Sequence, residues 1–212
     1  RALRGMFYFE LVRRFGNVVL MTSTQMSNQN PATYVQSAPE KVYEYIEDDL
    51  LYACDILPYA TDDQYRESND YRFSKGAALG LLTKVYATWA GYPVKDESKW
   101  EAAAKTARIL VESGKHGLLK DYEQLWKNTC NGTWDPTESL IEISFYSPTV
   151  SGNSDPVGRI GKWNGVKTTA IAGVRGSCAA NVKVVHTFVL DWREDVSDIR
   201  RDLSIANYQY TD

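Results

Sequence analysis

The strongest constraint on the fold lies in residues 74–112. From Ser74 to Ala90, Leu79, Leu82, Tyr86 and Trp89 recur at helical spacing, and Ala77, Ala78 and Gly80 leave room for a close neighbour. Gly91 and Pro93 end the run. Ser98-Lys-Trp-Glu101 has the form of a capping box and opens a second helix. Its inner face is expected to carry Trp100, Ala103, Ala104, Ala107, Leu110 and Val111, with Ser113-Gly114 as the stop.

Two helices of about fifteen residues with small residues between them make a helix-turn-helix unit of tetratricopeptide type, with a connector, Tyr92–Ser98, longer than a plain repeat has. A second pair precedes it. Residues 1–15 read as a helix with Leu3, Met6, Phe7, Leu11, Val12 and Phe15 as its apolar stripe and Arg1, Arg4, Glu10, Arg13 and Arg14 on the wet side. Gly16 ends it. Residues 21–38 are a polar loop containing Pro31. Ser37-Ala-Pro-Glu40 is another capping-box pattern, opening a helix with Val42, Ile46, Leu50, Ala53 and Leu57 on one face. Glu44, Glu47, Asp48 and Asp55 lie mostly elsewhere and lack the alternating pattern of a calcium loop, so they read as a solvated face.

After Gly114 the character changes. Residues 116–126 read as a turn and a short helix. Residues 138–146 alternate with a period of two and are expected to form a strand. Residues 147–181, rich in Gly, Ser, Asn and Pro, form a long irregular stretch, the kind of loop that carries function. A helix over about 183–192 and a strand-like end at 208–212 follow. The expected class is mainly α: helical repeats over 1–127, and a loop-rich region with a few short strands over 128–212.

Composition narrows the function. The net charge of -3 and the lack of a basic stripe give no reason to expect nucleic acid. No apolar run approaches the ~20 residues of a membrane helix, and no signal peptide opens the chain. Cys54, Cys130 and Cys178 are odd in number and widely spaced, which argues against a disulfide framework and a tetrahedral metal site. No phosphate loop, zinc spacing or nucleophile elbow is present, and Cys178 and His186 have no thiol-protease motif around them. No cofactor is expected. The excess is aromatic: 14 Tyr, 6 Trp and 6 Phe. Such rings serve a core, and they also stack on the apolar faces of pyranoses.

Several segments occur in an order that resembles the SusD/RagB family of outer-membrane nutrient-binding lipoproteins. They are Arg1–Leu20, Val42–Leu50 with Leu57-Pro58, Arg72–Tyr86 with its Lys-Gly-Ala-Ala core, Lys99–Ala104, Gly117–Tyr122, Glu138–Ile143 and Asp198–Asp202. The resemblance implies a tetratricopeptide-like scaffold with a loop-rich ligand side. It also implies a place on the outer-membrane surface through a lipidated N-terminal cysteine, and delivery of oligosaccharide or another nutrient to a TonB-dependent transporter of the SusC type. None of the three cysteines suits that anchor. The anchor, part of the ligand side and the C-terminal part of the usual fold are therefore expected outside this chain.

The sequence is compatible with three functional classes: a non-catalytic glycan-binding module, a protein-interaction scaffold, and a glycoside hydrolase, for which no pair of carboxylates has a recognisable spacing. For the first, the candidate ligand residues are Trp163, Asn164, Arg159, Trp134, Tyr146 and Asn153, with Tyr92, Asn131 and Asp135 as further company. Trp163-Asn164 leads because glycines flank it and cannot bury an indole. Trp89, Trp100 and Trp126, at helical spacing, are expected in the core.

Overall fold

A computed structural model describes residues 1–24, 28, 30–67, 70–144, 163–173, 176–194 and 197–210. It is helical: α1 (Ala2–Phe15), a 3₁₀ turn (Pro31–Thr33), α2 (Pro39–Ile56), α3 (Lys75–Ala90), α4 (Lys99–Glu112), α5 (Tyr122–Cys130), α6 (His186–Arg193) and α7 (Arg200–Ser204). The chain divides into two compact units. One is Arg1–Lys120 with Thr133–Glu142; the other is Asp121–Gly132 with Ile143–Asp212. The expected strands at 138–144 and 208–210 do not form. Among the described residues β structure is limited to the isolated bridges Val18–Ser37 and Thr168–Cys178.

In the first unit α1 packs on α2, α2 on α3 and α3 on α4. Val42, Ile46 and Leu50 of α2 are fully buried against Phe9, Val12, Leu82 and Val85. Tyr43 stacks on Trp89 at 5.3 Å. Lys99 at the start of α4 sits 3.9 Å over the same indole and 3.2 Å from Glu47 of α2, which also accepts a 2.7 Å hydrogen bond from Tyr86. One carboxylate and one ammonium thus tie three helices around an aromatic stack. Burial pushes the Cys54 thiol up to about 11, so it behaves as a small hydrophobe.

The rotation of α1 departs from expectation. Its buried face is Ala2, Gly5, Tyr8, Phe9 and Val12, while Leu3, Phe7, Leu11 and Phe15 are 55, 59, 40 and 70% exposed. Two contacts set the rotation. Gly5 lies against Leu50, where a Cβ would come to 3.2 Å. Arg4 grips Asp49, itself only 2% exposed, through two 2.7 Å hydrogen bonds. Both must face α2, which turns the Leu3/Phe7/Leu11 stripe outward. α4 is rotated in the same sense: Ala103 and Thr106 are buried, whereas Trp100 is 53% and Val111 74% exposed, and Ala104 is also exposed.

The caps also differ. Ser37 exchanges backbone hydrogen bonds with Val18 (3.2 and 2.8 Å), so the N-cap of α2 falls on Ala38 with Pro39 in the first turn. Ser98 bonds Asp96 instead of capping α4. The serine that does cap is Ser74, accepting from the Ala77 N–H at 3.2 Å.

The outer side of α3 carries a notch. A Cβ on Gly76 would lie 2.0 Å from Nε2 of His116, and one on Gly80 would lie 2.6 Å from Leu140. Residues 116–119 and 133–140 fill this notch. His116 Nδ1 is 2.9 Å from the Pro136 carbonyl, Gly117 N–H donates to Thr137 O at 2.9 Å, and Leu119 N–H donates to Glu138 at 2.6 Å.

Breaking a buried ion pair from one side costs ~3–5 kcal/mol. Because Arg4 keeps contact with water, Arg4→Ala should cost about 2–3 kcal/mol in urea unfolding, and the double change Arg4→Met/Asp49→Leu should recover most of it. At the notch, Gly76→Ala should expose the 117–120 segment to hydrogen exchange. That effect should largely vanish in a His116→Ala background, since the clash needs both partners.

Candidate functional site

Three main-chain segments of the second unit, 163–168, 178–184 and 204–210, enclose a cavity of about 400 Å³. Backbone hydrogen bonds fix them. Asn181 N–H donates to Trp163 O at 2.6 Å, Thr168 and Cys178 exchange bonds of 3.1 and 3.0 Å, and Tyr210 N–H donates to Lys167 O at 3.0 Å. Ala180, at φ 50, takes a left-handed conformation uncommon outside glycine. It turns the chain so that Val182, Lys183 and Val184 line the cavity. The polar lining is Asn164, Lys167, Lys183, Ser204, Asn207, Tyr208 and Gln209. Val189 of α6 adds an apolar contribution. Tyr208 is braced edge-on by Tyr210 at 5.8 Å. Amides and ammonium groups beside a phenol ring can hydrogen-bond hydroxyls and pack against an apolar ring face. The volume falls in the range of small-ligand sites, ~300–1,000 Å³.

A second cavity in the same unit, about 410 Å³, is lined by Tyr122, Phe188, Asp191, Trp192, Asp198 and Arg200. Its main polar groups already have protein partners. Asp198 accepts from Trp192 Nε1 at 2.9 Å and from Arg200 Nε at 2.8 Å. The Arg200 guanidinium holds the Asp198 carboxyl well below the usual carboxylate range. Phe188 packs on Trp192 at 5.4 Å. This network joins α6 to the start of α7, so Asp198–Asp202 has a structural use here.

Comparison with known proteins fits this helical scaffold. Residues 2–87 match the SusD-like family described as starch-binding, associating with the outer membrane. A SusD-like protein of Bacteroides ovatus is 27% identical over 175 residues, 77% of this chain and 31% of its own length. A SusD superfamily crystal structure from Parabacteroides distasonis shares 33% identity over 58% of this chain and 25% of its own, with a TM-score of 0.50. A crystal structure with xylogluco-oligosaccharide shares 31% identity over 66% of this chain and 27% of its own, with a TM-score of 0.52.

The chain is similar to proteins of the SusD/RagB family. It spans less than a third of the length of these relatives.

Within a SusD/RagB frame the sequence candidates fall in different places. Asn164 lines the first cavity. Trp163, one residue earlier, is 46% exposed and is not among the lining side chains. Tyr146, Asn153 and Arg159 lie outside the described residues. Trp134, expected as an exposed stacking ring, is 8% exposed in the first unit. It packs 5.8 Å from Tyr71 and 5.5 Å from the Arg66 guanidinium. That arginine is almost fully buried and clamps the 59–74 loop by donating to the carbonyls of Asp70, Arg72 and Phe73 at 2.9, 2.9 and 3.3 Å. The indole covers the clamp, and Thr-Trp-Asp-Pro is a packing element. Trp126, expected in the core, is 51% exposed and sits edge-on to Tyr122.

Lys167, Lys183, Asn207, Tyr208 and Gln209 were not foreseen as site residues. Tyr208 and Gln209 belong to the strand-like segment 208–212, and the alternation of polar and aromatic residues there was the available signal. Among the described residues no group of three His, Cys, Asp or Glu side chains could hold a metal, and no helix is long and apolar enough to cross a membrane. The three cysteines are unpaired with one another.

If Trp134 is a packing residue, Trp134→Ala should lower stability by about 3–5 kcal/mol in urea unfolding followed by circular dichroism, and should leave any oligosaccharide affinity of the surviving folded fraction unchanged.

Proposed function

We propose that the chain forms part of a non-catalytic, cell-surface glycan-binding protein that hands oligosaccharide to a SusC-like TonB-dependent transporter of the outer membrane. The observation that carries this reading is the cavity around Asn164, in a SusD/RagB-like chain similar over 66% of its length to a protein crystallised with xylogluco-oligosaccharide. The lining supports binding more than bond cleavage. Among the described residues it contains no carboxylate, whereas glycosidases of the ordinary kind need a facing pair. Asn164, Asn207 and Gln209 offer both donors and acceptors to sugar hydroxyls. Trp163, half exposed one residue before Asn164, is the stacking ring of this reading. Arg159, Tyr146 and Asn153 remain its further ligand residues.

The protein-contact reading has its own support. Leu3, Phe7, Leu11 and Phe15 form an exposed apolar stripe along α1, a feature suited to a protein partner. On a tetratricopeptide-like scaffold both uses coexist, one on each unit.

Isothermal titration with a panel of oligosaccharides that includes xylogluco-oligosaccharide tests the proposal. Trp163→Ala should weaken binding by roughly 1–3 kcal/mol, the loss of one aromatic stacking contact, and Asn164→Ala should weaken it by about 1 kcal/mol. Unchanged affinity in both variants would remove these residues from the site. New reducing ends released during the titration would refute a binding-only role.

A further inference from the structure

We infer that the cavity around Asn164 selects an anionic glycan, with Lys167 and Lys183 receiving a carboxylate or sulfate group on the sugar. This rests on the glycan-binding reading of the same cavity. Among the described residues its charged lining side chains have one sign: two lysines and no aspartate or glutamate. The contrast with the rest of the chain is sharp, because the protein as a whole is acidic, with 27 carboxylate side chains against 24 lysines and arginines. Elsewhere four of the nine described lysines are matched to a carboxylate: Lys41 with Glu44, Lys99 with Glu47, Lys115 with Asp62, Lys127 with Glu123. Lys167 and Lys183 have no carboxylate within ion-pair distance among the described residues.

The backbone holds them on opposite sides of one bridge. Lys167 precedes Thr168, and its carbonyl accepts from Tyr210; Lys183 follows the bridge residue Cys178 after the turn at Ala180. The two main chains that carry the ammonium groups are therefore tied together before any ligand arrives, which lowers the ordering cost of binding. An ammonium is a compact point charge with three rotatable donors, and it accepts either a planar carboxylate or a tetrahedral sulfate. The neighbouring amides Asn164, Asn207 and Gln209 would take the hydroxyls of the same ring.

Calorimetric titration of the 212-residue chain with oligogalacturonate and with its methyl ester tests the inference, since esterification removes the charge and keeps the ring. The acid should bind about tenfold more tightly at low salt, the size expected of two solvent-exposed ion pairs. The gap should close as salt is raised, and Lys167→Gln/Lys183→Gln should abolish it. These lysines are exposed, so the double variant should keep its circular dichroism spectrum and melting temperature. A sulfated galacto-oligosaccharide against its unsulfated form provides the second arm, and a charge preference in that arm alone assigns the site to sulfate. Equal binding of charged and uncharged forms in both arms would overturn the inference and leave the glycan reading standing. Failure of every oligosaccharide to bind would overturn both.

Discussion

Nine of the sixteen residues of α3 are buried, and Lys84 is its one fully exposed position. A helix with so little wet surface must be covered on most of its sides or it will not persist in water. α2 covers one side with Tyr43 and Ile46, and α4 covers another with Ala103 and Thr106. The remaining side, too narrow for a helix, is the Gly76/Gly80 notch, filled by His116 and Leu140. That requirement explains why residues 133–142 belong with the first unit although α5 separates them from it in sequence. The covering of α3 also supplies the polar ties of the scaffold. Glu47, Tyr86 and Lys99 meet over the Tyr43–Trp89 stack because their helices have been brought together by apolar burial.

The second unit is built on another principle. The described helices α5, α6 and α7 are short, and α5 and α7 bury no residue. Its cavities are framed by backbone bonds between irregular segments and by side-chain networks such as Trp192–Asp198–Arg200. An irregular frame exposes amides and turns side chains inward without regard to a helical period. A helical bundle at the same place would have closed the space with aliphatic packing. The division of labour is physical: the periodic half supplies stability, and the aperiodic half supplies polar groups in concave positions.

Much of the scaffold was legible because burial imposes a period. Val42, Ile46, Leu50 and Ala53 read as a face and are one; so do Leu79, Leu82, Tyr86 and Trp89. The rotation of α1 was not legible, since Leu3/Phe7/Leu11 and Tyr8/Phe9/Val12 are both apolar and hydrophobicity alone does not choose between them. Gly5 and Arg4 choose, and they act through Leu50 and Asp49, more than forty positions away. Asp49 itself stands at a core register between Ile46 and Leu50, the sort of lone buried carboxylate that implies a cationic partner. The helix starts near Ser37 and Ser98 were legible, but their serine caps were not, because a local alternative took each serine: Ser37 has its bridge to Val18 and Ser98 its bond to Asp96. Of the residues lining the candidate cavity, Asn164 was legible as a loop position from its flanking glycines. Lys167, Lys183 and Asn207–Gln209 were not, because what unites them is the meeting of three distant segments.

The aromatic residues show why composition is a weak guide to a sugar site. Trp89 is a stacking partner for Tyr43 and a seat for Lys99. Trp134 covers a buried arginine, and Trp192 donates to Asp198. Each has a protein partner that uses either its face or its N–H, and a ring engaged in that way is not free to receive a pyranose. An excess of tryptophan and tyrosine is therefore consistent with a scaffold alone. What distinguishes a recognition surface is polar groups that converge on one space without satisfying each other. In this chain that criterion separates the two cavities of the second unit. Around Trp192 the acid and the base are joined to one another. Around Asn164 the amides and lysines face the same volume with no carboxylate among the described lining residues, and the asymmetry of that lining says more about a ligand than the count of rings.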